Sequence, residues 1–168
     1  MASTRWPDVI TALVTLMRAT SGYRAPTVPG TGVPVYDGPQ AAVEGAHTEP
    51  RSLIIGWRPQ SDQAGESEQI VEVLAATTRP RTEDGAVWCT ASAESGDSDG
   101  LATVRGQAFA ILADVETLTR TNPDLSLGSA SGFRWAHAPS QVAVTQLATS
   151  QGMACQLVFS ITYKARIP

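Results

Sequence analysis

The chain has 168 residues, 42% of them hydrophobic, and a formal net charge of −4, which suits one domain (1–168) with a real core. No apolar run reaches the roughly 18 residues that suggest a membrane helix, and the first residues lack the basic start, apolar core and cleavage site of a signal peptide, so synthesis and use in the cytosol are expected. The charge is uneven: residues 1–36 carry three Arg and one Asp (+2), 37–124 fifteen acids and six Arg (−9), and 125–168 three bases and no acid (+3), while scattered arginines without an aromatic-basic cluster argue against nucleic-acid binding.

In chain order, Trp6, Val9, Ile10, Leu13, Leu16 and Met17 fall at helical spacing and predict an amphipathic helix over Trp6–Ala19. Pro7 is tolerated in its first turn, Asp8 suits the positive end of the dipole, and Gly22 is a stop. Residues 23–45 are rich in Pro and Gly. Within them Val33, Val35 and Tyr36 predict a short strand closed by the Asp37-Gly38 turn, and the remainder reads as loop. Ser52–Trp57 reads as a short buried strand without alternation. Arg58–Glu68 reads as a polar loop, Gln69–Thr77 as a strand and Arg79–Asp84 as a charged turn. Ala86–Ala93 alternates, with Val87, Cys89, Ala91 and Ala93 on one side, and pairs with the preceding strand as a hairpin.

Ser95–Gly100 is a loop whose Ser98 or Asp99 can cap a second helix. Its stripe is Leu101, Val104, Ala108, Ile111, Leu112, Val115 and Leu118, and Asn122-Pro123 ends it. Phe133–His137 and Gln141–Leu147 read as short strands. Gly152–Ile167 then alternates for about fifteen residues. Its odd positions are Met153, Cys155, Leu157, Phe159, Ile161, Tyr163, Ala165 and Ile167, and its even positions include Gln156, Ser160, Thr162, Lys164 and Arg166. At ~3.3 Å per residue such a strand is near ~50 Å long, so it is expected to bend or to reach a neighbouring subunit. The fold class expected is α+β: a mainly antiparallel mixed sheet with two amphipathic helices on one face. Leu13, Leu112, Phe159 and Ile161 should be buried.

No catalytic, cofactor-binding or metal-binding constellation is found. The two cysteines, Cys89 and Cys155, sit in apolar strand-like runs and are expected to be free thiols. The two histidines, His47 and His137, have no nucleophile motif beside them. Gly128–Gly132 looks like a nucleophile elbow, but Ala130 stands where serine is needed. There is no phosphate loop. Asp97-Ser98-Asp99-Gly100 starts like a calcium loop, yet Ala108 falls where the closing glutamate belongs. An enzyme is not expected.

Several segments together carry a family resemblance. They are Trp6-Pro7-Asp8-Val9-Ile10 through Leu16, Val33-Pro34-Val35-Tyr36-Asp37-Gly38, and Leu53-Ile54-Ile55-Gly56-Trp57. With them go Val87-Trp88-Cys89 leading to Ser95-Gly96-Asp97, Arg105-Gly106-Gln107-Ala108-Phe109, and Gln151-Gly152 followed by Val158-Phe159-Ser160-Ile161-Thr162-Tyr163. The chain resembles the tail terminator proteins of long-tailed, siphovirus-type phages, especially those of actinobacterial hosts. The resemblance covers nearly the whole chain in short, degenerate pieces.

It implies a mixed sheet flanked by helices and a homohexameric ring that caps the finished tail tube and then joins tail to head, without covalent chemistry. The implied partners are the tail tube protein and a head–tail connector, or neck, protein, with no membrane. DNA would pass through the ring without specific binding. The implied place is the head-proximal end of the virion tail, after assembly in the host cytoplasm. On this reading Arg24, Arg58, Arg79, Arg81, Lys164 and Arg166 are candidates for ring contacts. They lie in or near the long loops Arg24–Pro34, Arg58–Glu68 and Arg79–Asp84 or on the last strand. Glu94, Asp97 and Asp99 are candidates for a channel wall that repels DNA. The charge split would let opposite surfaces meet head to tail. Two other classes are open: another head–tail connector or tail tube component, and a small ligand-binding or enzymatic α+β domain, which a closed apolar pocket with convergent polar groups would favour.

Overall fold

The computed structural model describes residues 4–38, 50–59, 64–71, 81–96, 100–128, 132–149 and 152–167. In chain order they form α1 (Trp6–Ala19), β1 (Tyr23–Arg24), β2 (Val33–Asp37), β3 (Arg51–Ile55), β4 (Gly65–Val71) and β5 (Arg81–Ser95). After these come α2 (Leu101–Thr121), β6 (Phe133–Ala136), β7 (Ser140–Thr149) and β8 (Gly152–Ile167). Two helices and one mixed, mostly antiparallel sheet make an α+β fold.

The sheet is organised on one long pair. β5 and β8, of 15 and 16 residues, run antiparallel from Arg81↔Ile167 to Ser95↔Met153. Each is more than twice an ordinary strand's length, so each has room for two partners along its other side. β4 pairs with the first half of β5 (Val71↔Arg81 to Gly65↔Val87), and β3 with the second half (Ile55↔Cys89 to Arg51↔Ala93). β6 and β7 divide β8 in the same manner, from Phe133↔Ala165 to Thr149↔Gly152. β2 and then β1 add in parallel outside β3.

Strand parity separates the two faces. Every odd position of β8 from Cys155 to Ile167 is buried, as are Val87, Cys89, Ala91 and Ala93 of β5. These strands share one core with Val9, Leu13 and Met17 of α1 and Val104, Ala108, Ile111 and Val115 of α2. Both helices therefore cover the same face. Leu13, Phe159 and Ile161 are buried as expected. Leu112 is half-buried, because Ile111 and Val115, one turn apart, hold the centre of the stripe and Leu112 points about 100° away from Ile111.

Local composition misleads at several places. Arg81–Asp84 is not a turn but the start of β5, since β8 continues to Ile167 and offers each of these residues a backbone partner. Gly65–Glu68 belongs to β4 rather than to a loop, and that strand is described through Val71; residues 72–80 lie outside the described residues. β3 does alternate: Leu53 and Ile55 are buried while Ile54 is half-buried. β1 was not anticipated. α2 starts after Gly100 without a side-chain cap bond, and Ser98 and Asp99 lie outside the described residues.

Cys89 and Cys155 are free and buried. They sit opposite Phe159 and Ala93 respectively. Burial pushes both thiols above the usual cysteine range, because the thiolate loses its hydration. The native protein should therefore resist maleimide. After denaturation without reductant, mass measurement should find two alkylated thiols; a bridged mass, or rapid labelling of the native protein, contradicts this.

Candidate functional site

The most closely coupled polar cluster lies on the helix-side face. Glu83 has zero exposure. Its Oε2 accepts the Arg5 backbone N–H at 2.8 Å, and its Oε1 accepts the Tyr163 hydroxyl at 2.6 Å and the Thr4 hydroxyl. Gly85 makes this possible: the Tyr163 ring crosses directly over it, and a Cβ there would stand 2.5 Å from Tyr163 Cζ. Burial, and then the bond to Glu83, push the Tyr163 phenol above its ordinary value. A carboxylate sealed in this way has no route to a substrate. It ties the start of α1 to β5 and β8.

At its β4–β6 end the face away from the helices is polar and open, whereas further along the same face Trp88, Thr90 and Ser160 are buried. Across four strands, Glu68↔Asp84, Asp84↔Lys164 and Lys164↔Trp135 are neighbours. Lys164 Nζ pairs with Asp84 Oδ1 at 3.3 Å. This row and Glu66 line a trough of about 620 Å³. Its walls are charged and it opens to solvent, unlike the closed apolar pocket that a ligand-binding domain would need. Among the described residues no group of three or more His, Cys, Asp or Glu side chains is placed to hold a metal.

The edges are more distinctive. Ser140 to Ala148 of β7 are all exposed. Three of the five exposed large hydrophobics among the described residues are here: Val142 (42%), Val144 (47%) and Leu147 (54%). Among the described residues β7 pairs with β8 alone, and it carries no charge and no proline. Natural edge strands are normally blunted by those residues. No family model matches this chain, and no curated protein matches it. The edges therefore have to be read from their own chemistry.

The candidate contact residues have different fates. Arg24 is buried in its own loop, where Nε donates to Gly32 O at 2.9 Å and Nη1 to Val28 O at 2.7 Å. Arg58 lies over the Trp88 ring, 4.5 Å from its centroid. Arg81 donates to Gln69 Oε1 at 3.0 Å. Lys164 is paired with Asp84, whereas Arg166 is exposed. Glu94 is exposed at the far end of β5. Arg79, Asp97, Asp99 and His47 lie outside the described residues. His137 is exposed and packs against Trp135 at 4.1 Å between ring centroids.

Three features were missed from sequence: the Glu83 anchor, the bare β7 edge, and the exposed charges Glu66, Glu68 and Arg134. A signal for Glu83 was present. It continues the parity of Val87, Cys89, Ala91 and Ala93 toward the start of β5, which puts a carboxylate on the buried face and calls for partners there.

Proposed function

We propose that this chain is a structural protein of a phage tail, a tail terminator. It forms a homohexameric ring that caps the completed tail tube and presents the joining surface to the head–tail connector, while DNA passes without specific binding. The observation that carries this reading is β7, an uncharged ten-residue strand that among the described residues is left bare at a sheet edge and is exposed through Ala148. Such an edge invites pairing with another chain unless an assembly covers it. The resemblance to tail terminators supplies the kind of assembly. Arg166 is an exposed candidate for ring or connector contacts, and Glu94 for the channel wall.

A phage deleted for this gene should make tails of uncontrolled length that fail to join heads, as seen by negative-stain microscopy of lysates. Tails of normal length, properly joined to heads, defeat the reading.

A further inference from the structure

We propose that a second copy of this chain covers β7 across a two-fold axis perpendicular to the sheet. β7 pairs antiparallel with β7 of the partner copy, and one side of α2 faces the same side of the partner's α2. The contact rests on β7 and α2 and not on the tail reading.

The other edges of the sheet do not suit β7. β2 is taken, by β1 at Val33 and Pro34 and by the Arg18 guanidinium, which donates to Val35 O at 3.1 and 2.8 Å. β6 gives its Ala136 N–H to Pro123 O at 2.7 Å. β4 carries the exposed Glu66 and Glu68, the kind of charge that keeps strands from adding. β7 has no charge, so meeting its own copy sets no like charges against each other.

A bulge interrupts the pairing of β7 with β8 between Ser140 and Ala143, and beyond it the strand is regular. A two-fold axis perpendicular to the sheet keeps the helices of both copies on one side, so residues of equal parity meet. Centred on Thr145, it sets Thr145 against the partner's Thr145, Ala143 against the partner's Leu147 and Val144 against the partner's Gln146. Threonine pairs and apolar pairs are favourable across strands.

α2 presents a matching side. Val144 is opposite Leu157 and shares its face, but Leu157 is covered and Val144 is exposed. The core's apolar row thus runs past α2 to the edge without a lid. Asp114 accepts the Tyr23 hydroxyl of β1 at 2.7 Å, which marks the side of α2 turned from β7. Arg105 is half a turn round from Asp114 at 100° per residue. Arg105, Phe109, Leu112 and Glu116 follow at i, i+4, i+7 and i+11, one stripe on the β7 side. Phe109 and Arg105 are exposed, and Leu112 is half-buried.

The levels agree. Burial raises the Cys155 thiol and nearby Arg105 partly offsets this, so α2 passes Cys155 at Arg105. It reaches the level of Tyr163 at Pro123, which Ala136 bonds. These spans are ~27 Å of helix and ~26 Å of strand, so helix and strand run together. Thr145 is opposite Gln156, next to Cys155, and the axis therefore crosses α2 close to Phe109.

The stripe reads positive, apolar, apolar, negative. Turned about that axis it meets itself with Arg105 toward the partner's Glu116 and the apolar members together. Helical side chains lean toward their own N-terminus, so in antiparallel helices this arginine and glutamate lean toward each other. α2 lies over β5 and β8, which puts the two helices about four strand spacings, ~19 Å, apart. That exceeds direct helix packing, and Phe109, Leu112 and Val144 of both copies occupy the gap. Ten strand residues and one helix stripe a side bury on the order of 1,000 Å², the low end for a specific contact. The pair should therefore be reversible. A two-fold contact closes on itself, so it is a state of the free chain. It has to open before β7 can meet any other edge.

Thr145→Cys in the whole protein tests the axis. Under mild oxidation it should cross-link into a dimer, because a two-fold sets this residue against itself, within disulfide reach. Cys89 and Cys155 are buried and do not compete, and Glu68→Cys on the exposed β4 should stay monomeric on the same gel. Sedimentation equilibrium of the original chain should show monomer and dimer. Val144→Lys should weaken the dimer about tenfold or more, since two lysines then crowd the axis. Arg105→Glu should weaken it roughly tenfold through two symmetric contacts, and Arg105→Glu with Glu116→Arg should restore it. These side chains are exposed or half-exposed, and circular dichroism separates misfolding from loss of contact. Thr145→Cys that cross-links no better than Glu68→Cys overturns the inference, as does association indifferent to Val144→Lys. A charge swap that fails to restore the dimer overturns it too. A chain that is monomeric throughout removes the pair and leaves the tail reading standing. A cross-linked dimer from a chain whose deletion leaves tails intact does the reverse.

Discussion

Glu83→Ala should cost roughly 3 kcal/mol or more. It would strand the Tyr163 hydroxyl and the Arg5 N–H, both now bonded to a carboxylate with zero exposure. Each buried donor left unpaired costs about 1–3 kcal/mol. Urea unfolding followed by circular dichroism should show the loss, with a fall in Tm near 10 °C for a chain of this size. Glu83→Gln keeps one acceptor oxygen and should be milder. Tyr163→Phe should remove one bond without stranding a donor, and should be milder still. A near-neutral Glu83→Ala would show that the start of α1 is held by something else. The same cluster sets an alkaline limit. The folded-state phenol of Tyr163 is raised above its ordinary 10.0, so its contribution is fully present below that pH and declines as pH rises beyond it.

Phe159→Ala should cost ~3–5 kcal/mol, the range for truncating a large core aromatic. Phe159 has zero exposure and lies mid-way along the β5–β8 pair, opposite Cys89 and on the helix-covered face. The adjacent Val158 points to the other face and is half-buried, so Val158→Ala should cost well under half as much. Chemical denaturation of the two variants side by side gives the comparison. Equal losses, or a larger loss at Val158, would mean that the strand's faces are reversed.

How much of this was legible follows from the range of each cause. α1 could be read to its bounds, Trp6–Ala19, and β8 to its bounds, Gly152–Ile167. In both, one covered face writes its period into the residues themselves. The free thiols were also readable, from apolar neighbours; that a strand near Gln69 pairs with the next one was readable from adjacency, but not its register, since Gln69–Val71 pairs with Arg81–Glu83 and Cys89–Ala93 pairs with β3. β5 was not, because Arg81–Asp84 has the composition of a turn and becomes strand through partners about 80 residues away in β8. The partners of the arginines within the chain were hidden for the same reason. Charge on a loop suggests a contact with another molecule, but Arg24 spends its donors on the carbonyls of its own loop and Arg58 lies on Trp88.

By itself the sequence determined the helices, the alternating strands, the absence of a recognisable catalytic motif and the separation of acidic and basic stretches. All of these are carried by near neighbours in the chain. The tertiary structure alone decided that β5 and β8 each take two partners along their outer sides, that β7 has no second strand beside it among the described residues, and that Glu66 and Glu68 come to lie on the edge opposite Arg134. Which strand becomes an edge depends on every other pairing in the sheet. A strand's own residues specify which face is apolar, but not whether anything lies beside it.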